Sequence, residues 1–190
     1  MDNLTAEKLD MLFSRIDTLL ATQAQVLLAI DGPCTAGKTT LAGILQKHYN
    51  CAVLHMDEFF LRPAQRTPER LAQPGGNVDY ERFYEEVLLP LKAGKTFSYR
   101  PFSCAVQSLS DPVTLVSSPL TVIEGTYSAH PYFQNSYDLK VFLTIDPETQ
   151  RQRIGLREEW KQERFFREWI PMEQSYFDHF SIAEKCDLVL

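Results

Sequence analysis

The chain has 190 residues, 44% hydrophobic and 12% aromatic, enough to bury a sizeable core in one domain. Its 19 Lys and Arg against 25 Asp and Glu give a net charge of -6, which argues against a general affinity for nucleic acid. Residues 1–22 carry charges throughout and no early apolar run approaches the roughly 20 residues that span a bilayer, so we expect no signal peptide and no membrane span. Scattered cysteines without CxxC spacing favour reduced thiols in a cytoplasmic protein over a disulfide frame or a zinc site.

The first part of the chain predicts a helix followed by a strand-helix-strand unit. Apolar spacing predicts a helix over residues 4–20, with Thr5 as its N-cap. Residues 25–31 form a continuous apolar run that is typical of a parallel strand buried on both faces. A helix over residues 38–48 and a second apolar strand over 51–56 complete the unit.

The middle of the chain predicts an irregular segment, a helix and a hairpin. The proline-rich segment, residues 62–76, holds three prolines, two glycines and three arginines, which predicts a mobile surface stretch that could cover a substrate. Helical spacing follows over residues 79–92, with Asp79 placed to cap it. Residues 96–104 and 113–116 predict a small hairpin with its turn at 110–112.

The last part predicts two more buried strands, over residues 120–124 and 139–145. A charged helical stretch over residues 147–169 should end at Pro171, and a final helix and a short strand complete the chain. The alternation of strands and helices predicts a single-domain α/β fold over residues 1–190, with a mostly parallel sheet flanked by helices.

The strongest motif follows the first predicted strand and opens the helix after it. It reads Gly32-Pro33-Cys34-Thr35-Ala36-Gly37-Lys38-Thr39 and matches the phosphate-binding pattern G-x-x-x-x-G-K-[ST]. Backbone N–H groups and the helix N-terminus would cradle phosphates. Lys38 would reach the β- and γ-phosphates of ATP, Thr39 would hold Mg²⁺, and Thr40 would line the same site. The alternative is an ordinary glycine turn with a capping threonine.

Such a loop occurs in GTPases, transport ATPases and small-molecule kinases. The chain has no N-K-x-D guanine reader and no LSGGQ-like segment. A short chain with one nucleotide site, an arginine-bearing segment and a charged helical stretch favours a small-molecule kinase.

Two acidic residues directly follow apolar runs, at the strand ends where ligands bind on open α/β sheets. Asp57 follows CAVLHM and Glu124 follows LTVI, and we expect both strands to flank the strand before the phosphate loop. A kinase needs a carboxylate to orient the attacking hydroxyl and accept its proton, and carboxylate help with Mg²⁺. We assign the first role to Asp57 and the second to Glu124, with Asp57 also counted among the metal ligands. The alternative is that both acids only cap turns.

Five segments make the sequence resemble the uridine kinase family of P-loop kinases, whose relatives include phosphoribulokinase and bacterial pantothenate kinase. They are AIDGPCTAGKTTLA, HMDEFF, NVDYERF, IEGTY and DPETQRQRIGLR. The resemblance implies a P-loop NTPase fold with a small hairpin and a helical lid over residues 147–170. It implies that Asp57 is the base toward a sugar 5'-hydroxyl, that Glu124 helps to bind Mg²⁺ and that Asp79 holds ribose hydroxyls.

The resemblance also implies lid arginines that contact ATP, namely Arg153 and Arg157, with Arg164 and Arg167 as weaker candidates. The alternative for these side chains is a solvated helix face paired with glutamates. In uridine kinases the hairpin presents aromatic residues and a histidine to the pyrimidine. Residues 95–118 contain Tyr99 and Phe102 but no histidine. These two aromatic residues could line the acceptor pocket or pack the hairpin.

The sequence thus predicts a cytoplasmic, Mg²⁺-dependent kinase with ATP and a small-molecule acceptor as partners, first a nucleoside such as uridine or cytidine. The same chemistry on pantothenate, a sugar phosphate or a nucleoside monophosphate is an alternative, and Arg62 or Arg66 could supply cations for a sugar phosphate. A nucleotide-binding module without transfer activity is a second alternative. The N-terminal helix, outside the family core, would cover the sheet or contact another subunit of a homo-oligomer.

Overall fold

The computed structural model describes residues 4–133 and 135–190. The first elements are α1 (Ala6–Leu20), β1 (Val26–Asp31), α2 (Lys38–Tyr49), β2 (Ala52–His55) and α3 (Pro68–Leu71). The middle elements are α4 (Tyr80–Phe83), α5 (Leu89–Lys92), β3 (Phe97–Tyr99), β4 (Phe102–Ser103), β5 (Ser108–Leu109) and β6 (Val113–Leu115). The last elements are β7 (Leu120–Glu124), β8 (Leu139–Phe142), α6 (Pro147–Gly155), α7 (Glu159–Arg164), α8 (Ile170–Phe180) and β9 (Leu188–Val189). Among the described residues, no helix has the length and apolar character needed to cross a membrane.

Five parallel strands form the central sheet in the order β2-β7-β1-β8-β9, so the predicted α/β fold with a parallel sheet is confirmed. The prediction that β2 flanks β1 is wrong. The crossover through α2 skips one position in the sheet, and β7 fills it. Glu124 of β7 therefore pairs with Ile30 on one side and with His55 on the other.

The sheet is buried on both faces, as the continuous apolar run of β1 predicted. Leu28 and Ile30 pack with a cluster that includes residues of α1 and α2, whereas Leu27 points to the opposite face and packs with residues of α4, α5 and α8. The predicted cap of α1 is confirmed, because the Thr5 side chain accepts the backbone N–H of Lys8. Two hydrophobic layers thus hold the strand ends, and the loops on them, in fixed positions.

The predicted single hairpin is divided into two short antiparallel ladders. β3 pairs with β6, and β4 pairs with β5. The chain reverses between Ser103 and Ser108 rather than at residues 110–112, because β5, just before the predicted turn, already pairs back onto β4.

The proline-rich segment is more regular than its composition predicted. It contains a short 3₁₀ helix at Pro63–Gln65 and helix α3. Arg70 donates to the backbone oxygens of Gly76 and Val78 at 2.9 Å each, and both of its terminal nitrogens bond to Glu81. These bonds anchor the segment to the start of α4. The composition of the segment did not predict this anchoring role of Arg70.

Two prolines lie inside helical stretches without ending them. A π-helical turn at Tyr84–Leu88 precedes Pro90, and another at Phe165–Trp169 precedes Pro171. Proline lacks a backbone N–H and clashes with the carbonyl four residues earlier in a regular α-helix, and the wider π turn relieves both conflicts. The predicted stop at Pro171 is therefore wrong: the helical stretch runs on into α8, and the break lies at residues 156–158.

A column of stacked side chains connects the proline-rich segment to β1. The guanidinium of Arg70 lies 4.0 Å from the centre of the Tyr80 ring, and Tyr80 stacks on His130 at 4.5 Å. His130 lies parallel to Tyr176 at 5.8 Å, and the Tyr176 hydroxyl donates to Asp31 at 2.8 Å. The column thus connects the proline-rich segment, through α4 and α8, to the last residue of β1.

Because His130 is buried, we expect the free energy of unfolding to fall in mild acid. Burial, followed by the charge of Arg70, lowers the pKa of His130 from 6.5 to about 4. Between these two pKa values the unfolded chain binds more protons than the folded chain. The stability that neutral His130 contributes is therefore complete above the pKa of the unfolded chain and is lost as the pH falls toward the pKa in the folded protein. At about pH 5 we expect a loss of about 2 kcal/mol from this residue, measured by urea unfolding.

The matched variant is His130→Phe, which keeps an aromatic ring in the column and cannot titrate. We expect the change in unfolding free energy between about pH 7.5 and about pH 5 to be smaller in this variant. An equal change in wild type and variant would show that His130 does not carry the effect.

Candidate active site

The phosphate-binding motif forms a loop between β1 and α2, as the sequence predicted. Gly32 has φ +135°, and a Cβ there would lie 2.3 Å from the backbone oxygen of Leu143. Gly37, with φ +99°, stands directly before the first residue of α2. These glycines allow the loop to turn closely against the sheet. The N-terminus of the 12-residue helix α2 therefore faces the loop.

Lys38, the first residue of α2, directly follows this loop and is 8% exposed. Its Nζ donates to the backbone oxygens of Gly32 and Pro33 at 2.8 Å each and to Thr126 Oγ1 at 3.2 Å. Thr126 is the second residue after β7, so the lysine connects the loop to the end of that strand. The ammonium group is thereby held close to the backbone N–H groups that would cradle a phosphate.

Asp31 is a fully buried carboxylate that the sequence reasoning did not identify. It accepts the backbone N–H groups of Gly32, Tyr127 and Ala129 at 2.7–3.1 Å, in addition to the Tyr176 hydroxyl. Burial raises its pKa, while these hydrogen bonds act in the opposite direction. Asp31 therefore fixes the beginning of the phosphate loop to the segment after β7.

Glu124 brings together residues from three parts of the chain. The Oε1 of Glu124 accepts the Thr39 hydroxyl at 3.0 Å and lies 2.6 Å from Nδ1 of His55. The sheet register explains this meeting, because His55 stands opposite Glu124 on the neighbouring strand. The hydrogen bond to Glu124 raises the pKa of His55. Sequence reasoning proposed Thr39 and Glu124 but missed His55, although its place just before Asp57 was a signal.

The Thr39 and Glu124 oxygens fit Mg²⁺, which prefers hard oxygen ligands and takes one or two protein groups together with substrate phosphates. Within residues 4–133 and 135–190, no group of three or more His, Cys, Asp or Glu could hold a metal ion by itself. The pair is therefore suited to a metal that arrives with a nucleotide, and not to a metal held in a closed protein cage.

We expect Glu124→Gln to weaken the use of Mg²⁺. The substitution keeps an oxygen near Thr39 and removes one negative charge, so the Mg²⁺ concentration for half-maximal turnover should rise about tenfold. Turnover against Mg²⁺ concentration measures this, with the exposed Glu85→Gln as the matched control. An unchanged Mg²⁺ requirement in Glu124→Gln would remove Glu124 from the metal site.

Asp57 lies on a 3₁₀ turn, Met56–Phe59, that follows β2. Met56 and Phe59 are fully buried and anchor the turn, whereas Asp57 is exposed. Partial desolvation, followed by the charge of Glu124, raises the pKa of Asp57. Gly125 allows the turn to approach β7, since a Cβ there would lie 2.8 Å from the Met56 Cβ. Asp57 thus lies near Glu124, but its part in metal binding stays a prediction.

Asp79 is 3% exposed and caps α4 by accepting the N–H of Arg82 at 3.3 Å. Its Oδ2 accepts Gln65 Nε2 at 2.9 Å, and Arg62 Nη2 lies 3.8 Å away. The predicted cap is confirmed. A ribose hydroxyl at Asp79 would have to share or replace the Gln65 amide, so that role stays a prediction.

The two aromatic candidates lie in the protein interior. Tyr99 is 5% exposed, stacks on Phe59 at 5.3 Å and donates its hydroxyl to Glu58 at 2.7 Å. Phe102 is 4% exposed, with the Arg66 guanidinium 5.5 Å from its ring centre. The structure thus supports packing for both, and their contact with an acceptor stays a prediction.

The phosphate loop opens into a cavity of about 640 Å³ between α2 and α6. The predicted residues Arg153 and Arg157 line it, together with loop residues Thr35 to Thr40 and apolar side chains that include Leu156 and Leu190. Arg153 also donates to the backbone oxygen of Thr35 at 2.8 Å. The cavity therefore adjoins the phosphate loop and the start of α2, and its cationic side chains favour anionic groups.

The two weaker lid candidates do not line this cavity. Arg164 bonds to Glu168 at 3.0 Å, and Arg167 lies 2.9 Å from Glu163. Both arginines form exposed ion pairs with glutamates four residues away in the same helical stretch. This arrangement matches the alternative of a solvated helix face.

The parallel sheet, the phosphate loop and the flanking helices together make up the fold of the P-loop kinases. The chain superimposes on a structure described as a possible uridine kinase from Bacillus stearothermophilus with a TM-score of 0.64 and 23% identity, covering 95% of this chain and 99% of the other. It is 29% identical to human nicotinamide riboside kinase 1 over 140 residues, 69% of this chain. That match spans 64% of the length of the human protein. No protein-family profile matches the chain.

These likenesses confirm the resemblance to the uridine kinase family of P-loop kinases that the five sequence segments indicated.

Proposed function

We propose that the chain is a Mg²⁺-dependent kinase that transfers the γ-phosphoryl group of ATP to a hydroxyl of a small riboside, with uridine and cytidine as first candidates. The observation that carries the proposal is the 3.0 Å contact of Thr39 with Glu124 beside the phosphate loop, with Asp57 on the turn after the neighbouring strand. A pure nucleotide binder has no need of an acid in the position of Asp57.

The chain's own groups supply positioning and charge stabilisation. Lys38 and the backbone N–H groups of the loop bind the phosphates, and Arg153 and Arg157 approach from α6 and the residues after it. Thr39 and Glu124 would hold Mg²⁺, which would neutralise charge on the β- and γ-phosphates when bound. Closure of residues 147–170 over the site would exclude water and limit hydrolysis of ATP.

Asp57 orients the acceptor hydroxyl and accepts its proton at a carboxylate oxygen. Its raised pKa supports this role, because a carboxylate with a higher pKa is a stronger base toward the hydroxyl proton. Asp79, whose carboxylate lies 3.8 Å from Arg62 Nη2, would hold further hydroxyls of the acceptor.

The riboside class draws on the two relatives, whose names refer to uridine and to nicotinamide riboside. Both compounds carry a ribose with a free primary hydroxyl. Pantothenate, a sugar phosphate and a nucleoside monophosphate are alternative acceptors for the same chemistry. Each of these alternatives is an anion at neutral pH, and the exposed Arg62 and Arg66 would supply cations for it.

The test is ADP release from Mg-ATP with a panel of uridine, cytidine, other nucleosides, nicotinamide riboside, nucleoside monophosphates, pantothenate and sugar phosphates. We expect strong stimulation by at least one riboside. Stimulation only by another acceptor would contradict the riboside class and keep the kinase, whereas tight ATP binding without any stimulation would favour the binding module. A cytoplasmic location, a homo-oligomeric state and the absence of a nucleic-acid partner stay predictions.

A further inference from the structure

A buried carboxylate outside the residues discussed so far holds the first half of the phosphate loop. Glu173 of α8 is 8% exposed, and its Oε2 accepts the backbone N–H of Cys34 at 2.9 Å. Its Oε1 lies 3.4 Å from the hydroxyl oxygen of Thr126, whose single proton has a closer acceptor in the backbone oxygen of Gly32 at 3.0 Å. Glu173 therefore holds the loop backbone through Cys34.

The same loop residue is held from the opposite side by α6. Gln150 Nε2 donates to the backbone oxygen of Cys34 at 3.2 Å, and the next loop residue, Thr35, accepts Arg153. The two hydrogen-bonding groups of the Cys34 backbone are thus satisfied by side chains from α6 and α8. Helix α6 is the first helix of the candidate lid, residues 147–170, and α8 begins at its last residue.

The helical stretch that begins at α7 continues through the π turn into α8, so Glu173 lies on the same stretch as the end of the lid. A change in the angle of this stretch moves the Glu173 carboxylate relative to Cys34. Because a buried N–H that loses its acceptor costs free energy, the loop backbone and the helix must move together or lose this bond.

We propose that Glu173 is a positioning residue that couples the lid helices to the phosphate loop, through its hydrogen bond to the Cys34 N–H. This inference rests on the proposed kinase function. Glu173 acts on the geometry of the loop, and the groups that contact the phosphates remain those of the loop and Lys38. The decisive property of the side chain is its reach to Cys34, and its charge is secondary.

Three substitutions separate reach from charge. Glu173→Gln keeps an acceptor oxygen at the same length and removes the charge, Glu173→Asp keeps the charge and shortens the reach, and Glu173→Ala removes both. We expect Glu173→Asp and Glu173→Ala to lower kcat about 10- to 100-fold while the KM for ATP changes less than about threefold, because a small displacement of the transferring group costs more in the transition state than in binding. We expect Glu173→Gln to keep kcat within about threefold of wild type.

The control is Gln174→Ala, on the next residue of α8, whose exposed side chain bonds only within its helix to Asp178 among the contacts described. It should keep wild-type kcat and KM. Thermal unfolding of every variant shows whether it folds. If Glu173→Ala does not fold, the comparison of Glu173→Gln with Glu173→Asp still separates reach from charge.

Equal kcat in wild type and Glu173→Asp, or a loss in Glu173→Gln as large as that in Glu173→Asp, would overturn the coupling by reach. A KM for ATP that rises by as large a factor as kcat falls in Glu173→Asp would also overturn it, because Glu173 would then act on ATP binding as much as on transfer. Failure of the proposed function is a separate result: it would appear as wild-type protein that transfers phosphate to no acceptor.

Discussion

Replacing Lys38 by methionine should reduce phosphoryl transfer by about 10³-fold or more. Methionine keeps the aliphatic part of the side chain in its 8% exposed position and removes the ammonium group. The ammonium group bonds to two loop carbonyls and to Thr126. It is the cation next to the loop that can stabilise the negative charge on the phosphoryl group during transfer. Steady-state turnover with a saturating riboside measures the effect.

The matched control is Lys47→Met, on the exposed side of the same helix, which should keep wild-type turnover. ATP binding by the Lys38 variant should weaken as well, because the lysine contacts phosphates in the ground state and in the transition state. Turnover of Lys38→Met within about tenfold of wild type would contradict the role assigned to the phosphate loop.

Replacing Asp57 by asparagine should reduce kcat by about 10²- to 10⁴-fold and leave ATP affinity within about twofold of wild type. Asparagine has the same shape and can still orient a hydroxyl, but it cannot accept the proton. Because Asp57 must be ionised to act, wild-type activity should fall as the pH drops through its raised pKa, and the variant should lack this acid limb. Turnover against pH, together with equilibrium ATP binding, measures both effects.

Asp111→Asn, at an exposed position in the hairpin region, is the matched control and should leave kcat and its pH profile unchanged. An Asp57→Asn protein that retains wild-type kcat would exclude Asp57 as the base. Loss of ATP binding in that variant would instead indicate that Asp57 acts mainly on the nucleotide and its metal.

The sequence predicted those parts of the site that a local pattern of neighbouring residues identifies. The phosphate loop needs glycines at fixed spacing between a strand and a helix, so Gly32, Gly37 and Lys38 were recognisable together. Glu124 and Asp57 were identified because each directly follows an apolar run, at the sheet edge where ligands bind. Local rules also placed the caps at Thr5 and Asp79.

The parts that the sequence did not predict depend on contacts between distant segments. The order of the strands follows from a crossover that skips a position, and no local pattern encodes it. Pro171 was misread because a preceding π turn, rather than composition, decides whether a helix tolerates proline.

Glu173 and Asp31 each gave a signal that could have been used. Glu173 shares a helical face with the apolar Tyr176 and Phe177, three and four residues later, so burial of its carboxylate was foreseeable. Asp31 ends an apolar strand and is a buried acid that must find donors. Their partners across the fold, 139 residues away for Cys34 and 145 for Tyr176, could be known only from the structure.

The proposed activity of this site is transfer of a phosphoryl group to a small riboside, beyond binding or hydrolysis of ATP. The most direct measurement follows labelled γ-phosphate from Mg-ATP into products in the presence of uridine, cytidine or nicotinamide riboside. We predict that most of the label appears in the phosphorylated riboside and that transfer disappears with Lys38→Met. Label found only in inorganic phosphate, or remaining in ATP with every acceptor of the panel, would contradict the account.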